Sequence, residues 1–335
     1  SGPGGTVAFR YLGLFASIAL SRLECLLGDY RASLSALAPV YAEGPGFAVQ
    51  VGDEMKTPME CITSVFQARL SMAYHCGVSY LMLRRYKDAV ASLGEICSFM
   101  QRGFKTGQLR KLAGSEQFNR LYERMIALLA VLTHVCPTEG LVDDGVARSV
   151  RDKHGNALSK IEAGEEGYED LFVFACPKFV SPAVPDYGQV TSSSVGGHSA
   201  QDIYKLQVRQ FVNEMSVQQT LRKLRSYMKL YTSIKVSKLA AFNDMGDDEF
   251  LHLLLCYKHK MRQLERGGGE GEEGKEASAA ESAGPLDGKL GTALDIHYYI
   301  LDEMIHVDEA ERQRRFEKFF MAQIAQNEEI MKDVE

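Results

Sequence analysis

Few side chains in this 335-residue sequence are placed to do nucleophilic or acid–base chemistry. His75 precedes Cys76, and His134 stands two residues before Cys136. A thiolate nucleophile needs a base beside it and a third group to orient that base. Both pairs lie in apolar, helix-patterned stretches with no third group to place, so they read as packed core. The seven cysteines, at 25, 61, 76, 97, 136, 176 and 256, are widely and irregularly spaced. None forms Cys-x-x-Cys, which argues against a zinc site and a disulfide framework. Reduced thiols fit the cytosol or nucleus, and a cytoplasmic location is expected. There is no His-x-His followed by Asp, so a metal-dependent isopeptidase is unsupported. Neither Gly-x-x-x-x-Gly-Lys-Ser/Thr nor Gly-x-Ser-x-Gly occurs. Gly269, Gly271 and Gly274 do spell Gly-x-Gly-x-x-Gly, but no strand precedes them and the intervening glutamates would repel a pyrophosphate. No catalytic, metal-binding or cofactor-binding residue is expected, nor any enzymatic activity.

Such a chain works through its shape, and composition bounds that shape. It is 45% hydrophobic and 24% charged, with a net charge of −6. Those values suit an ordinary globular protein and argue against bulk attraction to nucleic acid. No apolar run approaches the roughly 20 residues of a membrane span, and no signal peptide is visible. The sequence opens without Met, as a piece of a longer chain would.

Helical patterning fills the first two thirds. Val7 to Leu27 predicts a helix, broken at Gly28-Asp29-Tyr30, with Ala32, Leu34 and Leu37 starting another. Ile62 to Leu83 repeats the pattern, with a turn at Arg84-Arg85-Tyr86 and a second helix carrying Ala89, Val90, Leu93 and Ile96. Gly77, Tyr80, Tyr86 and Ala89 have the relative spacing of a tetratricopeptide helix pair. In such a pair a small residue allows close approach and tyrosines fill the groove. Further helices are expected over Ser115–Val135, Val142–Ile161 with an interruption near Gly155-Asn156, Tyr168–Ala175 and Ala200–Met215. Residues 176–185 carry three prolines and predict a rigid connector.

A second architecture closes the chain. Leu221, Leu224, Met228 and Tyr231 share one helix face and end at Thr232-Ser233. A short helix with Val236, Leu239, Ala240 and Phe242 follows. A third helix starts at Asp247 and is expected to bury Phe250, Leu253, Leu254, Tyr257, Met261 and Leu264. Leu294, Ile296, Tyr298 and Ile300 then alternate with polar or amphipathic residues, the period-two mark of a strand. Asp302-Glu303 turns it back through Met304–Asp308, although Asp-Glu is not a strong hairpin turn. Three helices and a hairpin make a winged helix. Its would-be reading helix opens with Asp247, Asp248 and Glu249, where phosphates would have to approach, so DNA is not the expected partner. Residues 267–284 are rich in Gly, Glu, Ala and Ser with one Lys against five Glu, and predict a disordered acidic insertion.

Two surfaces remain open to alternative readings. Residues 221–266 hold ten Lys/Arg against five Asp/Glu. The group around Arg222, Lys223, Arg225 and Lys229 is either a solvated face or a weak, salt-sensitive contact with RNA phosphates. A final helix, Glu311 to Val334, carries Phe316, Phe320, Ile324, Asn327, Met331 and Val334 near the 3.5-residue spacing of a helix-pairing seam. That stripe either packs on its own chain or bundles with another.

Degenerate helical repeats running into a winged helix resemble the PCI domain, the scaffold module shared by the proteasome lid, the COP9 signalosome and eukaryotic translation initiation factor 3. Local motifs point to one subunit family of the initiation factor. They are Cys176 to Tyr187, Leu224 to Ile234 with Ser237 to Ala240, His259-Lys260-Met261, Leu286-Asp287-Gly288, Tyr299 to His306, and Arg84-Arg85-Tyr86-x-Asp88-Ala89. The acidic insertion and the absence of the family's further N-terminal helical region depart from that pattern.

The resemblance implies a mainly α chain. A tetratricopeptide-like array (1–215) would lead into the winged-helix part of a PCI domain (216–308), and a bundling helix (309–335) would follow. It also implies a non-catalytic scaffold role supporting 43S pre-initiation complex formation on the 40S ribosomal subunit. Subunits K and E would be neighbours among other PCI subunits, with no DNA or membrane partner. The implied partner-binding residues are Leu294, Ile296, Tyr298 and Ile300 on the strand, and Phe316, Phe320, Ile324 and Met331 on the last helix. A scaffold subunit of the proteasome lid or COP9 signalosome is the alternative.

Overall fold

The structure is a computed structural model that describes residues 7–42, 46–51, 54–111, 114–136, 141–162, 167–181, 200–266, 284–292, 296–309 and 323–324. These residues form two compact units. One comprises residues 1–224 with 252–294, the other 225–251 with 295–335. Two of the three divisions fall inside helices, and residues 252–266 and 284–292, the root of the acidic insertion, belong with the helical array.

In the first unit α1 (Val7–Leu27) and α2 (Tyr30–Ser35) form the first helix pair. Asp29 accepts from the Ala32 amide and caps α2. A small hairpin of β1 (Val49–Val51) and β2 (Glu54–Lys56) follows in a segment whose Gly and Pro residues suggest only a loop. The helix expected over Ile62–Leu83 is instead two: α3 (Pro58–Thr63) and α4 (Phe66–Met82). Thr57 and Glu60 form a capping box that starts α3 before the expected position.

The tetratricopeptide-like pair consists of α4 and α5 (Tyr86–Lys105). Gly77 is needed there, because a Cβ on it would lie 2.5 Å from Leu93 Cγ. Tyr86, Ala89, Val90 and Leu93 of α5 are fully buried. The array continues through α6 (Ser115–Val135), α7 (Asp144–Glu162) and α8 (Tyr168–Ala175). α7 runs unbroken through Gly155-Asn156, which corrects the interruption read from the sequence. A mid-helix glycine costs only about 1 kcal/mol. Beyond α8 the connector is extended as far as Ser181, and the Val180 amide donates to the Leu26 carbonyl at 2.9 Å. α9 (Ala200–Met228) is one helix of 29 residues, not two. Its Phe211 stacks on Phe172 of α8 with ring centroids 3.8 Å apart.

In the second unit, the end of α9 is followed by β3 (Ser233–Lys235), α10 (Val236–Phe242), the start of α11 (Asp247–Met261, which passes into the first unit at His252), β6 (Ile296–Leu301) and β7 (Met304–Glu309). The sheet order is β3-β7-β6, all antiparallel. This is a winged helix with its small first strand present. Met228, Ile234, Val236, Leu239, Ala240, Phe250, Ile296, Tyr298 and Ile305 are its buried apolar residues. The Asp302-Glu303 turn has φ of 49° and 60°. It is a two-residue hairpin of the kind that demands positive φ at both positions, filled here by two acidic residues.

α11 ends at Met261, earlier than its apolar stripe suggests. β4 (Arg262–Glu265) follows and pairs antiparallel with β5 (Lys289–Thr292) across the insertion. Leu264, expected in the core, is exposed, whereas Gln263 and Glu265 are buried.

Candidate functional site

The His/Cys pairs occupy the core. His75 is buried, and its Nδ1 lies 2.7 Å from the Ser71 carbonyl. Burial pulls its pKa down to about 4. Burial pushes the Cys76 thiol up to about 12, so it carries no thiolate at neutral pH. His134 and Cys136 are buried too. Among the described residues no group of three or more His, Cys, Asp or Glu is placed to hold a metal ion.

Among the described residues, a polar cluster lies where two distant segments of the first unit meet. α4 ends in a Schellman turn. The Arg85 amide donates to the Tyr80 carbonyl at 2.9 Å, the Arg84 amide donates to Leu81 at 3.1 Å, and Arg84 takes φ 61°. That turn aims Arg85 at the segment before β5. Its Nη1 donates to the carbonyls of Pro285 (3.1 Å) and Leu286 (2.8 Å), and its Nη2 to that of Asp287 (3.0 Å). Asp88 holds the guanidinium from below at 2.7 Å and accepts the Arg266 amide at 3.0 Å with its other oxygen.

Tyr80 lies under the same guanidinium, 5.0 Å from ring centroid to Cζ, and donates to the Pro285 carbonyl at 2.8 Å. Burial raises its pKa well above the usual phenol value. Next to it, the Tyr86 amide donates to Gln263 at 3.0 Å, and Lys87 sits 2.8 Å from the buried Glu265 carboxylate. Gly288 lies against the Glu265 backbone, where a Cβ would come within 2.8 Å of the carbonyl oxygen. Lys260 completes the arrangement, donating to both oxygens of Glu214 on α9 at 3.0 and 2.9 Å. Three sequence motifs, at 84–89, 259–261 and 286–288, thus build one clasp around the root of the insertion. No single-sequence signal pairs Arg85 with its carbonyls, because 200 to 202 positions separate them.

The sheet of the second unit is the other candidate surface. Among the described residues β6 pairs only with β7. In the β6–β7 register the positions flanking the two-residue turn, Leu301 and Met304, are opposite each other, as are Tyr299 and His306. The Val307 amide donates to Thr232 at 2.8 Å, so odd residues of β7 bond toward β3 and even ones toward β6. By the antiparallel pattern, Ile296, Tyr298 and Ile300 direct their backbone groups to the side of β6 away from β7. Their side chains do something else. Those of Ile296 and Tyr298 are buried and that of Ile300 is half-buried, so these side chains are not an exposed partner face. What faces outward is Tyr299, stacked on His306 at 5.1 Å, and Leu301.

Other site residues fall less informatively. Ile324 is helical and exposed. Leu294, Phe316, Phe320 and Met331 lie outside the described residues. Arg222, Lys223 and Arg225 are on α9, and Lys229 follows its end. The Arg225 side chain is half-buried and that of Lys229 exposed. α11 does open with Asp247, Asp248 and Glu249 in its first turn.

A tetratricopeptide-like array followed along the chain by a winged helix is the architecture of a PCI-type module. Sequence comparison gives the family. The chain belongs to the family described as RNA polymerase I-associated factor PAF67, which matches residues 4–327. It is similar to subunit L of eukaryotic translation initiation factor 3. The zebrafish protein is 32% identical over 96% of this chain and 50% of its own length. The human protein is 32% identical over 96% of this chain and 51% of its own length, and that of Xenopus tropicalis 32% over 97% and 52%. The chain therefore spans about half the length of the curated relatives it matches. No helix among the described residues is long and apolar enough to cross a membrane.

Proposed function

We propose that this chain is the PCI-bearing part of a non-catalytic scaffold subunit of eukaryotic translation initiation factor 3. The similarity to subunit L along nearly the whole chain carries this reading. The outer edge of β6, a strand that pairs only with β7 among the described residues, supports it, since a dedicated partner strand can cover such an edge. In this role β6 pairs with a neighbouring PCI subunit, and the apolar stripe of Phe316, Phe320, Ile324 and Met331 bundles with partner helices. Subunits K and E are the proposed neighbours. The assembly sits on the 40S ribosomal subunit and supports formation of the 43S pre-initiation complex in the cytoplasm. Arg222, Lys223, Arg225 and Lys229 add at most a weak RNA contact.

Affinity purification of the tagged full-length protein from cells at low salt, read by mass spectrometry, tests the reading. It should recover the other initiation factor 3 subunits with small-subunit ribosomal proteins. Phe320→Asp should release them while the winged helix stays folded. Recovery of proteasome-lid or signalosome subunits instead would transfer the protein to another machine.

A further inference from the structure

α5, α6 and α7 pack on one another, and a cleft of about 500 Å³ opens between them. Its inner end is prebuilt. Gln101 of α5 donates to the Gly145 carbonyl at 3.0 Å and to Ser149 Oγ at 2.9 Å, which ties α5 to α7. A Cβ on Gly145 would collide with the Gln101 amide, so glycine lets that amide lie against α7. Phe104 and Tyr122 close the floor edge to face, with ring centroids 5.6 Å apart. The connection from α5 to α6 folds back over the outer end, where Leu109 lies within 2.7 Å of a Cβ placed on Gly103.

That outer end carries groups the fold does not use. Lys105, Ser115, Glu116 and Asn119 line it, and among the described residues none of their side chains forms a hydrogen bond or ion pair. The charge there is one-sided. Arg102 lies one turn before Lys105, Lys111 ends the single turn Leu109–Lys111, and Arg120 lies one turn beyond Glu116. All four cations are exposed, and none has an ion-pair partner among the described residues. They surround one carboxylate, Glu116, on a chain whose net charge is −6. Of the neighbouring carboxylates, Glu123 pairs with Lys153 at 3.4 Å and Asp143 accepts the Gly145 amide at 3.1 Å.

A basic cleft can take phosphates or carboxylates, and the floor decides between them. Single-stranded nucleic acid needs open ring faces on which bases stack. Tyr122 is buried, with Lys153 over its ring at 5.4 Å. Glu116 at the mouth would also repel a phosphodiester. An extended peptide fits instead. The Asn119 carboxamide offers a donor and an acceptor to a backbone amide, the floor takes an apolar side chain, and the surrounding cations take carboxylates.

We propose that the α5–α6–α7 cleft is a docking site for an acidic peptide segment of another protein. A Leu or Phe side chain of that segment sits on the Phe104–Tyr122 floor, between Asp or Glu residues that pair with Lys105 and Arg120. The inference rests on the cleft alone and is independent of the assembly proposed above.

Fluorescence anisotropy of the purified protein tests it. The probe is a labelled hexapeptide, Asp-Glu-Leu-Phe-Asp-Glu, compared with Asp-Glu-Ser-Ser-Asp-Glu and with a labelled oligouridylate. The Leu-Phe peptide should bind saturably below about 1 mM and roughly tenfold tighter than the Ser-Ser peptide. Its binding should weaken as salt rises from about 50 to about 300 mM. Lys105→Glu with Arg120→Glu should weaken it by roughly tenfold or more, and Asn119→Ala by less. Arg148→Glu with Arg151→Glu makes the same change in charge at exposed residues turned roughly 100° or more from Ser149 around α7, and should leave binding unchanged. Every substituted side chain is exposed, so the variants keep the fold. Equal loss from the two double reversals would reduce the effect to bulk charge and overturn the docking. So would the absence of saturable binding, or equal binding of the Ser-Ser peptide. Tighter binding of the oligouridylate, abolished by Lys105→Glu with Arg120→Glu, would make nucleic acid the occupant and overturn it too.

Discussion

Arg85 Nη1 donates to the Leu286 carbonyl at 2.8 Å, joining residues 201 positions apart in the chain. Arg85 is buried, so the guanidinium satisfies three carbonyls and the Asp88 carboxylate in a site from which water is largely excluded. Arg85→Ala strands that carboxylate. The expected loss is about 3 kcal/mol, as for other broken buried pairs. Amide exchange should accelerate first in β5 and the segment before it. Arg85→Lys keeps the charge but not the forked geometry and should fall between. Denaturant titration with hydrogen-exchange mass spectrometry checks both, and an Arg85→Ala protein as stable as wild type would contradict the clasp.

The register of β6 and β7 makes neighbouring residues behave oppositely. Tyr299 sits opposite His306 in a bonded pair, whereas Ile300 directs its amide away from β7. Tyr299→Pro should break the ladder and unfold the winged helix. Ile300→Pro should leave the ladder intact, as proline on an edge strand can, while abolishing recovery of partner subunits. Circular dichroism and co-purification separate the outcomes. A folded Ile300→Pro protein that still recovers its partners would rule out strand addition at this edge.

Glu303 takes φ 60° at the second turn position, and Val236 donates to its carbonyl at 2.9 Å. Glycine keeps that carbonyl and relieves the left-handed conformation. Glu303→Gly should stabilise the winged helix by about 1 kcal/mol. A raised denaturation midpoint with an unchanged slope is the expected readout, and a lowered midpoint would show that the glutamate side chain stabilises the turn.

Much of this fold is legible in the sequence where pattern and burial agree. α6 and α8 begin and end where their apolar periodicity does, and β6 shows because its burial alternates. β3 is three residues long, too short for any period to show. β4 inverts the usual rule, with Gln263 and Glu265 inside and Leu264 outside. Their polar partners are the Tyr86 amide and Lys87, supplied from far along the chain, so local pattern extends the helix through Leu264 instead. The strand at 296–301 is legible as a strand. Which parts of it face outward is not, because side chains and backbone edge point different ways.

His75 gives a pH signature. Its folded pKa, near 4, lies below the ordinary 6.5, so the unfolded chain takes up the proton first as pH falls. Its contribution is fully present above pH 6.5 and is lost as pH falls toward 4, by about 3 kcal/mol in all. His75→Gln should flatten the stability profile across that window relative to wild type. Parallel profiles for the two proteins would show that His75 does not stay neutral in the core.

Native mass spectrometry of the intact assembly purified through the full-length protein tests the central claim most directly. One copy of the protein is expected per initiation factor 3 complex, leaving on gentle activation in subcomplexes with subunits K or E. A free monomer, or a complex built of proteasome-lid or signalosome subunits, would contradict it.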